Sequence, residues 1–437
     1  MKPHQVTILA VSAILLCAIL APPSAQLQES RNDRAAGPPK TSDRLMDPAR
    51  LARLRPLARD YAEHVPSGAP LGPPSPRLQG LASAVNTDEM MAVIRAISVD
   101  IPTRYWTTTG MESATQYMLD RFEEFQLDRA YFDPISDGST IRNVVGVKLG
   151  TSTPDRIYMV CGHLDSYSPE RMTLAPGAED NGTGSAGVAE IARLLAPLEL
   201  SSSVYFVCFT AEEGPGLGSK HLSQIALDEH WDLRGVLNMD MVGYDAAGTP
   251  EMLLEGFPGD PRSVALMNVV EATSTTFGGL TVSRYPDDGW GSDHVSFHRR
   301  GFPAIMTIDF DFDQYACYHQ TCDTIDKIHP EQLRRMVVSV ATATAKLAGV
   351  RFAFASIDGV ADRRDSTNDA RIRIDVSGTR YEPVRSGAGG VFSLTNLVPG
   401  TYTIRAQAAG YRTAQRRVTV SGGAATKVKL VLTPQKP

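Results

Sequence analysis

The sequence Cys-Gly-His-Leu-Asp at residues 161–165 is followed, after a loop, by Ala-Glu-Asp-Asn-Gly-Thr-Gly at residues 178–184. The apolar, β-branched run at residues 156–160 predicts a buried strand, so His163 and Asp165 should lie where that strand ends. Active sites of open α/β sheets lie at such strand ends. A neutral imidazole is a good zinc ligand, and a carboxylate two residues away can accept the proton of the other ring nitrogen. A structural His-Asp pair in a loop is the alternative interpretation.

Asp180 favours a metal site over that alternative. It lies in the glycine-rich turn, just before an apolar-periodic run at residues 188–195 that predicts a helix. A carboxylate held beside a helix start and close to a strand-end histidine is costly unless a cation shares it. We therefore expect a cation at this end of the sheet.

Length and composition limit the class of protein. The chain has 437 residues, of which 42% are hydrophobic, and this length predicts two folded domains of ordinary globular composition. The formal net charge is −6, with both signs spread along the chain. Because no basic surface is indicated, we expect no nucleic-acid partner.

The N-terminal region predicts export. Residues 1–25 combine Lys2, an apolar run and a small-residue end, a pattern typical of a cleaved signal peptide, so we expect a secreted or otherwise extracytoplasmic protein. A retained anchor is the alternative, but an apolar run of about 15 residues is short for a bilayer. Residues 26–84 are rich in Pro, Arg, Ala and Ser and predict a linker or pro-segment.

Two further regions differ in their periodicity. Residues 85–350 alternate predicted strands and helices, which indicates an α/β domain with a mixed, mainly parallel sheet between helices. The predicted strands are 141–148, 156–161, 204–210, 235–241 and 304–308, and the longer predicted helices are 87–96, 110–125, 261–273 and 330–348. Residues 351–437 contain short β-rich runs separated by turns, which predict an all-β sandwich.

Metal-type residues follow several of the predicted strands. They are His163, Asp165, Asp180, Glu212, Glu213, Asp240 and His319. Adjacent glutamates after a strand point in different directions, so one can bind metal while the other acts as a base. A solvated acidic turn is the alternative for that pair. The full set exceeds the needs of a single tetrahedral zinc with an open position and favours a two-metal site.

These motifs, in this order along residues 86–349, resemble the secreted co-catalytic dizinc aminopeptidases. That group includes bacterial leucyl aminopeptidases and, more distantly, glutamate carboxypeptidase II and the glutaminyl cyclases. The resemblance implies a zinc exopeptidase-like fold and two Zn²⁺ ions that share Asp180. One ion would have the ligands His163, Asp180 and Asp240, and the other Asp180, Glu213 and His319.

The same resemblance implies a mechanism. The enzyme would hydrolyse the N-terminal bond of peptides with a free N-terminus, using a water bound between the two zinc ions and Glu212 as general base. We expect it to be a monomer. Asp165 would support His163, and Tyr318 would stabilise the tetrahedral intermediate. The secreted relatives also imply a Cys317–Cys322 disulfide and a cis peptide bond after Asp180.

Alternatives remain at this point. A carboxypeptidase or a glutaminyl cyclase of the same fold, and a non-catalytic binding protein that has lost ligands, are the rival interpretations. At residues 389–402, the sequence resembles the carboxypeptidase regulatory-like domain. That region contains no cluster of ligand-type residues, so we expect it to support folding or attachment rather than catalysis.

Overall fold

The computed structural model describes residues 74–136, 138–286, 291–365 and 369–435. The predicted signal peptide and most of the predicted linker lie outside these residues. None of the described helices is both long and apolar enough to cross a membrane.

The first domain is built on an eight-stranded sheet in the order β1-β2-β4-β3-β5-β8-β6-β7. The strands are β1 (Arg129–Pro134), β2 (Arg142–Lys148), β3 (Thr153–His163), β4 (Ser202–Phe209), β5 (Asp232–Met239), β6 (Glu251–Gly256), β7 (Thr281–Pro286) and β8 (Ala304–Asp309). The pairs β3–β4, β3–β5, β5–β8 and β6–β7 are parallel, and the other pairs are antiparallel. The prediction of a mixed, mainly parallel sheet is confirmed.

Helices cover both faces of this sheet. They are α1 (Pro76–Ala84), α2 (Thr87–Ser98), α3 (Thr109–Glu124), α4 (Gly184–Leu195), α5 (Leu217–Asp228), α6 (Pro261–Thr273), α7 (His294–His298) and α8 (Pro330–Leu347). Successive residues of a strand point to opposite faces. In β3, Val160 therefore lies in the core with α4 and α8, whereas Met159 and Cys161 lie in a second core with α5 and α7.

Parallel neighbours place the carboxyl ends of β3, β4 and β5 at one edge of the sheet. His163 is the last residue of β3, Asp240 directly follows β5, and Glu212 comes three residues after β4. His319 lies in the loop after β8. The central strands thus bring together residues that are far apart in the sequence.

Several elements differ from the sequence prediction. Residues 76–84 are assigned to a linker by composition, but they form α1, because Leu78 and Leu81 are buried against the rest of the fold. Strands β1, β6 and β7 carry charged or polar residues in their short runs, so their periodicity does not indicate strands. Their positions depend on pairing: β1 pairs with β2, β6 with β8, and β7 with β6.

The C-terminal region forms two four-stranded sheets, β11-β10-β13-β15 and β12-β9-β16-β14. The strands are β9 (Ala355–Arg363), β10 (Arg373–Val376), β11 (Val384–Arg385), β12 (Val391–Leu397), β13 (Gly400–Gln407), β14 (Tyr411–Arg412), β15 (Ala414–Val420) and β16 (Ala425–Pro434). Their apolar residues alternate inward, as Phe392 and Leu394 do in β12. The predicted all-β sandwich is confirmed.

Asn86 joins the β domain to the start of the α/β domain. Its side-chain oxygen accepts hydrogen bonds from the backbone of Asp88 and Glu89 at 3.0 and 3.3 Å and so caps α2. Its amide nitrogen donates to the carbonyl of Ser377 at 3.1 Å. The residue that caps α2 of the α/β domain therefore also contacts the β domain.

Candidate metal centre

His163 lies between two carboxylates. Its Nε2 atom is 3.3 Å from Oδ1 of Asp180 and 3.3 Å from Oδ1 of Asp240. The side chain is only 1% exposed, because it ends a central strand of the sheet. These three residues place one nitrogen and two oxygens around a single point.

His319 forms a second group with the other oxygen of Asp180. Its Nε2 atom is 3.2 Å from Oδ2 of Asp180 and 2.9 Å from Oε2 of Glu213. In each of the two groups, the possible ligand atoms lie within 4.8 Å of one another. The structure thus brings together all five residues that the sequence nominates as metal ligands, while metal binding by them stays a prediction.

The charges in this centre fit a bound cation. Burial raises the pKa of Glu213 to about 7 and raises the pKa of Glu212 well above its ordinary value. Burial also opposes the charge of Asp180, but hydrogen bonds with His163 and His319 outweigh it and lower the pKa of Asp180. Oε1 of Glu213 is buried without a hydrogen-bond partner among the described residues. Carboxylates crowded in this way are costly unless a cation is shared between them, and imidazole with carboxylate suits divalent transition metals.

Asp165 does not act as the sequence predicts. The expectation is that its carboxylate accepts a proton from His163, but Oδ1 is 3.7 Å from Nδ1, whereas the backbone oxygen of Asp165 is at 3.0 Å. The carboxylate instead accepts the backbone N–H groups of Glu212 and Glu213, each at 3.1 Å. Both carboxylate oxygens of Asp165 are hydrogen-bonded to this backbone, so the side chain positions Glu212 and Glu213. The hydrogen-bond contact with the imidazole of His163 is made by the backbone oxygen of Asp165.

On the other side of the centre, the carboxylate of Asp323 likewise holds backbone N–H groups in position. The sequence analysis did not identify this residue. Its carboxylate accepts the backbone N–H groups of Glu179 at 2.8 Å and Asp180 at 3.0 Å, and the hydroxyl of Tyr315 at 2.7 Å. The residue is 1% exposed. Asp323 directly follows Cys322 in the motif that contains His319, and this position could have indicated that it belongs to the site.

Arg104 is a second residue that the sequence did not indicate. It is fully buried and donates hydrogen bonds to the carbonyls of Leu164 at 2.7 Å and Gly177 at 2.8 Å, as well as to those of Ile97 and Pro176. Burial lowers its pKa to about 10, against the influence of Asp323 and Asp165, so it stays charged at neutral pH. Arg104 thereby links the loop after β3 to the turn that carries Asp180.

The loop after β8 carries Tyr318 beside His319. A disulfide joins Cys317 to Cys322, with Cα atoms 5.3 Å apart, which confirms the predicted pair. The rings of Tyr318 and His319 are stacked with centroids 3.8 Å apart. Burial raises the pKa of Tyr318 well above its ordinary value, and the charges of Asp180 and Glu213 add to this effect. The phenol therefore stays protonated and can donate a hydrogen bond.

The turn before α4 contains the other predicted backbone feature. The peptide bond between Asp180 and Asn181 is cis, as the resemblance implies. Asn181 donates to the carbonyl of Met239 at 2.9 Å, so the turn is attached to the end of β5.

Residues 143–344 match Peptidase family M28, and the matched region contains both ligand groups and Glu212. This region, the M28 domain, is therefore similar to Peptidase family M28. Residues 360–433 match the carboxypeptidase regulatory-like domain.

Curated relatives of the M28 domain are similar over part of the chain. Aminopeptidase YwaD of Bacillus subtilis is 30% identical over 202 residues, which cover 45% of this chain and 42% of the relative. A probable leucine aminopeptidase of Arthroderma otae is 26% identical over 267 residues, covering 58% of this chain and 71% of the relative. The chain spans about half the length of the first curated relatives that it matches.

Solved structures share the fold of the M28 domain. LapA aminopeptidase of Legionella pneumophila has a TM-score of 0.56 at 19% identity, covering 64% of this chain and 76% of that chain. A zinc aminopeptidase from Bacillus subtilis has a TM-score of 0.52 at 16% identity, covering 62% of this chain and 96% of that chain. At these identities the likeness supports the mixed α/β architecture alone.

Proposed function

We propose that the M28 domain is a zinc-dependent aminopeptidase that removes N-terminal residues from peptides, with two Zn²⁺ ions at the candidate centre. The observation that carries this proposal is the pair of ligand groups that share Asp180, because each group offers three ligand atoms around its own point. Relatives named as an aminopeptidase and as a probable zinc metalloprotease support the same activity.

His163, Asp180 and Asp240 would hold one ion, and Glu213 and His319 with Asp180 the other. When bound, zinc supplies Lewis-acid polarisation of a carbonyl group and lowers the pKa of coordinated water. Two histidines and three carboxylates complete both positions, which favours a two-ion hydrolase over a one-zinc cyclase. A non-catalytic binding protein would be expected to lack ligands, and both groups are complete here.

Glu212 is the residue we propose for proton transfer. It stands next to the ligand Glu213, and burial raises its pKa above the ordinary value of a glutamate, as suits a group that accepts a proton and returns it. Asp165 holds the backbone of Glu212 in place. Tyr318, which is stacked on His319, would donate a hydrogen bond to the carbonyl oxygen as charge develops on it.

Selection of the N-terminus would come from charge. Glu213 and Asp240 are assigned to the ions, so Glu212 is the carboxylate of the centre that would pair with a free ammonium group. This charge distribution favours an aminopeptidase over a carboxypeptidase.

The test is hydrolysis of leucyl p-nitroanilide and its N-acetyl derivative by the full chain, with and without a chelator. We expect cleavage of the free-amine substrate alone, loss of activity on chelation and recovery on adding zinc. Glu212→Gln should keep its zinc content and lose at least about a hundredfold in kcat, because only proton transfer is removed. Glu123→Gln, an exposed residue of α3, is the matched control. Full activity of Glu212→Gln would exclude the proposed base.

We also propose that the protein works outside the cytoplasm. The N-terminal pattern at residues 1–25 supports export, and the Cys317–Cys322 disulfide is of a kind that persists in oxidising compartments. Cell fractionation of the full chain checks this, and recovery of the uncleaved protein from the cytoplasm would contradict it.

A further inference from the structure

A row of half-exposed aromatic side chains borders the second ligand group. The ring of Tyr167 lies 5.1 Å from that of His319, Tyr105 lies 6.3 Å from Tyr167, and Trp106 lies 5.8 Å from Tyr105. At its far end, the indole of Trp106 covers Gly214, where an added Cβ would be 2.6 Å from Nε1. Gly214 directly follows Glu213, so the row extends from the ligand His319 to the residue beside the ligand Glu213.

Arg171 lies over this row. Its guanidinium carbon is 5.3 Å from the ring centroids of both Tyr105 and Tyr167. Its backbone is tied on both sides, by a hydrogen bond from Arg171 N–H to the Ser168 carbonyl at 3.1 Å and by one from the Thr103 hydroxyl to the Arg171 carbonyl at 2.6 Å. Within the described parts of the chain, no carboxylate pairs with its guanidinium.

This arrangement is suited to binding an anion. Two aromatic faces restrict the planar guanidinium fork, which then loses little freedom when it binds a carboxylate through two parallel hydrogen bonds. With the proposed ions bound, the ligand carboxylates are neutralised, and Glu212 remains as the acidic group that can pair with an ammonium. Arg171 near this centre therefore fits a ligand that is positive at one end and negative at the other.

A short peptide is such a ligand. Only one ring, that of Tyr167, separates the guanidinium of Arg171 from His319. An extended peptide advances roughly 3.3–3.6 Å per residue, so a carboxylate two residues beyond the cleaved bond can span this separation. The aromatic row would then contact the side chains between the bond and the carboxylate.

We infer that Arg171, Tyr105 and Tyr167 form a subsite for the C-terminal carboxylate of short peptides, so that the enzyme prefers tripeptides with a free C-terminus. The inference rests on the proposed aminopeptidase function and names its substrate class. Arg171 is a specificity-determining residue in this account, because it touches the substrate and not the cleaved bond.

The experiment compares Leu-Gly-Gly with its C-terminal amide. The intact protein should cleave the free acid with a kcat/KM about tenfold higher, since the carboxylate gains charge-assisted hydrogen bonds at a half-exposed site. Arg171→Met should bring that ratio close to one by lowering the value for the acid, and should change leucyl p-nitroanilide hydrolysis by less than about twofold. Arg416→Met, an exposed arginine of β15, should leave the ratio unchanged.

Other outcomes overturn the inference. A ratio near one in the unaltered protein, or a tenfold ratio retained in Arg171→Met, excludes the subsite. A preference for Leu-Gly-Asp-amide over Leu-Gly-Asn-amide, with none for the free C-terminus, would show that an acidic side chain is the recognised carboxylate.

A binding measurement separates this inference from the proposed function. If no leucyl substrate is cleaved, the function fails, and calorimetric titration of zinc-loaded Glu212→Gln with Leu-Gly-Gly and its amide still tests the subsite. An affinity about tenfold higher for the acid supports Arg171 as its partner. Equal affinities, or no binding, would overturn it.

Discussion

Replacing Asp323 by alanine removes the acceptor that holds the turn of Asp180. The carboxylate accepts backbone N–H groups from Glu179 and Asp180 and the hydroxyl of Tyr315. Both N–H groups belong to fully or nearly fully buried residues, so water cannot readily replace the lost acceptor. We expect the change to loosen the shared ligand as well as the local fold.

The size of the effect follows from these contacts. A buried donor left without a partner costs about 1–3 kcal/mol, so the two backbone N–H groups alone cost about 2–6 kcal/mol. Part of this is offset, because burial of the Asp323 carboxylate is itself unfavourable and raises its pKa to about 6. A net loss of about 2–4 kcal/mol in unfolding free energy is therefore expected. Zinc affinity should fall about 10- to 100-fold, as is usual when a residue that orients a ligand is removed.

Two measurements check this prediction: urea unfolding of the metal-free protein and a competitive zinc titration. Asp326→Ala is the matched control, because that side chain is 67% exposed and should change neither quantity. Asp323→Asn should be intermediate, since its amide oxygen can replace only one of the two acceptors. If Asp323→Ala kept the zinc affinity and the stability of the control, the proposed link between Asp323 and Asp180 would be refuted.

Three further predictions concern the disulfide, the domain contact and the metal. Cys317→Ser combined with Cys322→Ser should lower kcat at least about tenfold through Tyr318 and His319, while so short a loop adds only about 2 kcal/mol of stability; unchanged kcat would contradict this. Gly378→Ala should lose about 2–4 kcal/mol in denaturant unfolding, because its φ is +71° and an added Cβ would lie 1.9 Å from Oδ1 of Asn86. Gly389→Ala, with φ +65° and open space, should lose only about 1 kcal/mol, and equal losses would argue against the clash. Chelation should lower the melting temperature reversibly, because an ion that binds only the folded chain adds to its stability, and an unchanged value would count against a resident metal.

The sequence predicted those parts of the centre that follow from strand ends. His163, Asp240 and the glutamate pair directly follow periodic apolar runs, so their convergence can be inferred from parallel strand pairing. Asp180 could be added because a glycine-rich turn leads into an obvious helix. Local pattern and the common edge of the sheet were sufficient for these residues.

The hydrogen-bond directions could not be predicted in this way. The carboxylate of Asp165 turns to the backbone of Glu212 and Glu213 because that loop comes close to it in three dimensions. Arg104 lies in no periodic pattern, since its partners are backbone carbonyls of distant loops. Backbone groups are nearly the same in every residue type, so the partners of such side chains cannot be recognised from the sequence.

Asp180 gives one oxygen to each ligand group, and this sharing has a consequence for how ions enter the proposed centre. The first ion would fix the rotamer of Asp180, which would favour binding of the second ion. It would also place a positive charge beside the second position, which would oppose that binding. These opposing effects make the two affinities interdependent, and thermodynamic reciprocity requires that each ion alter the affinity of the other by the same factor. Loss of Glu213 or Asp240 would weaken one position directly, whereas loss of Asp180 would abolish the communication between them.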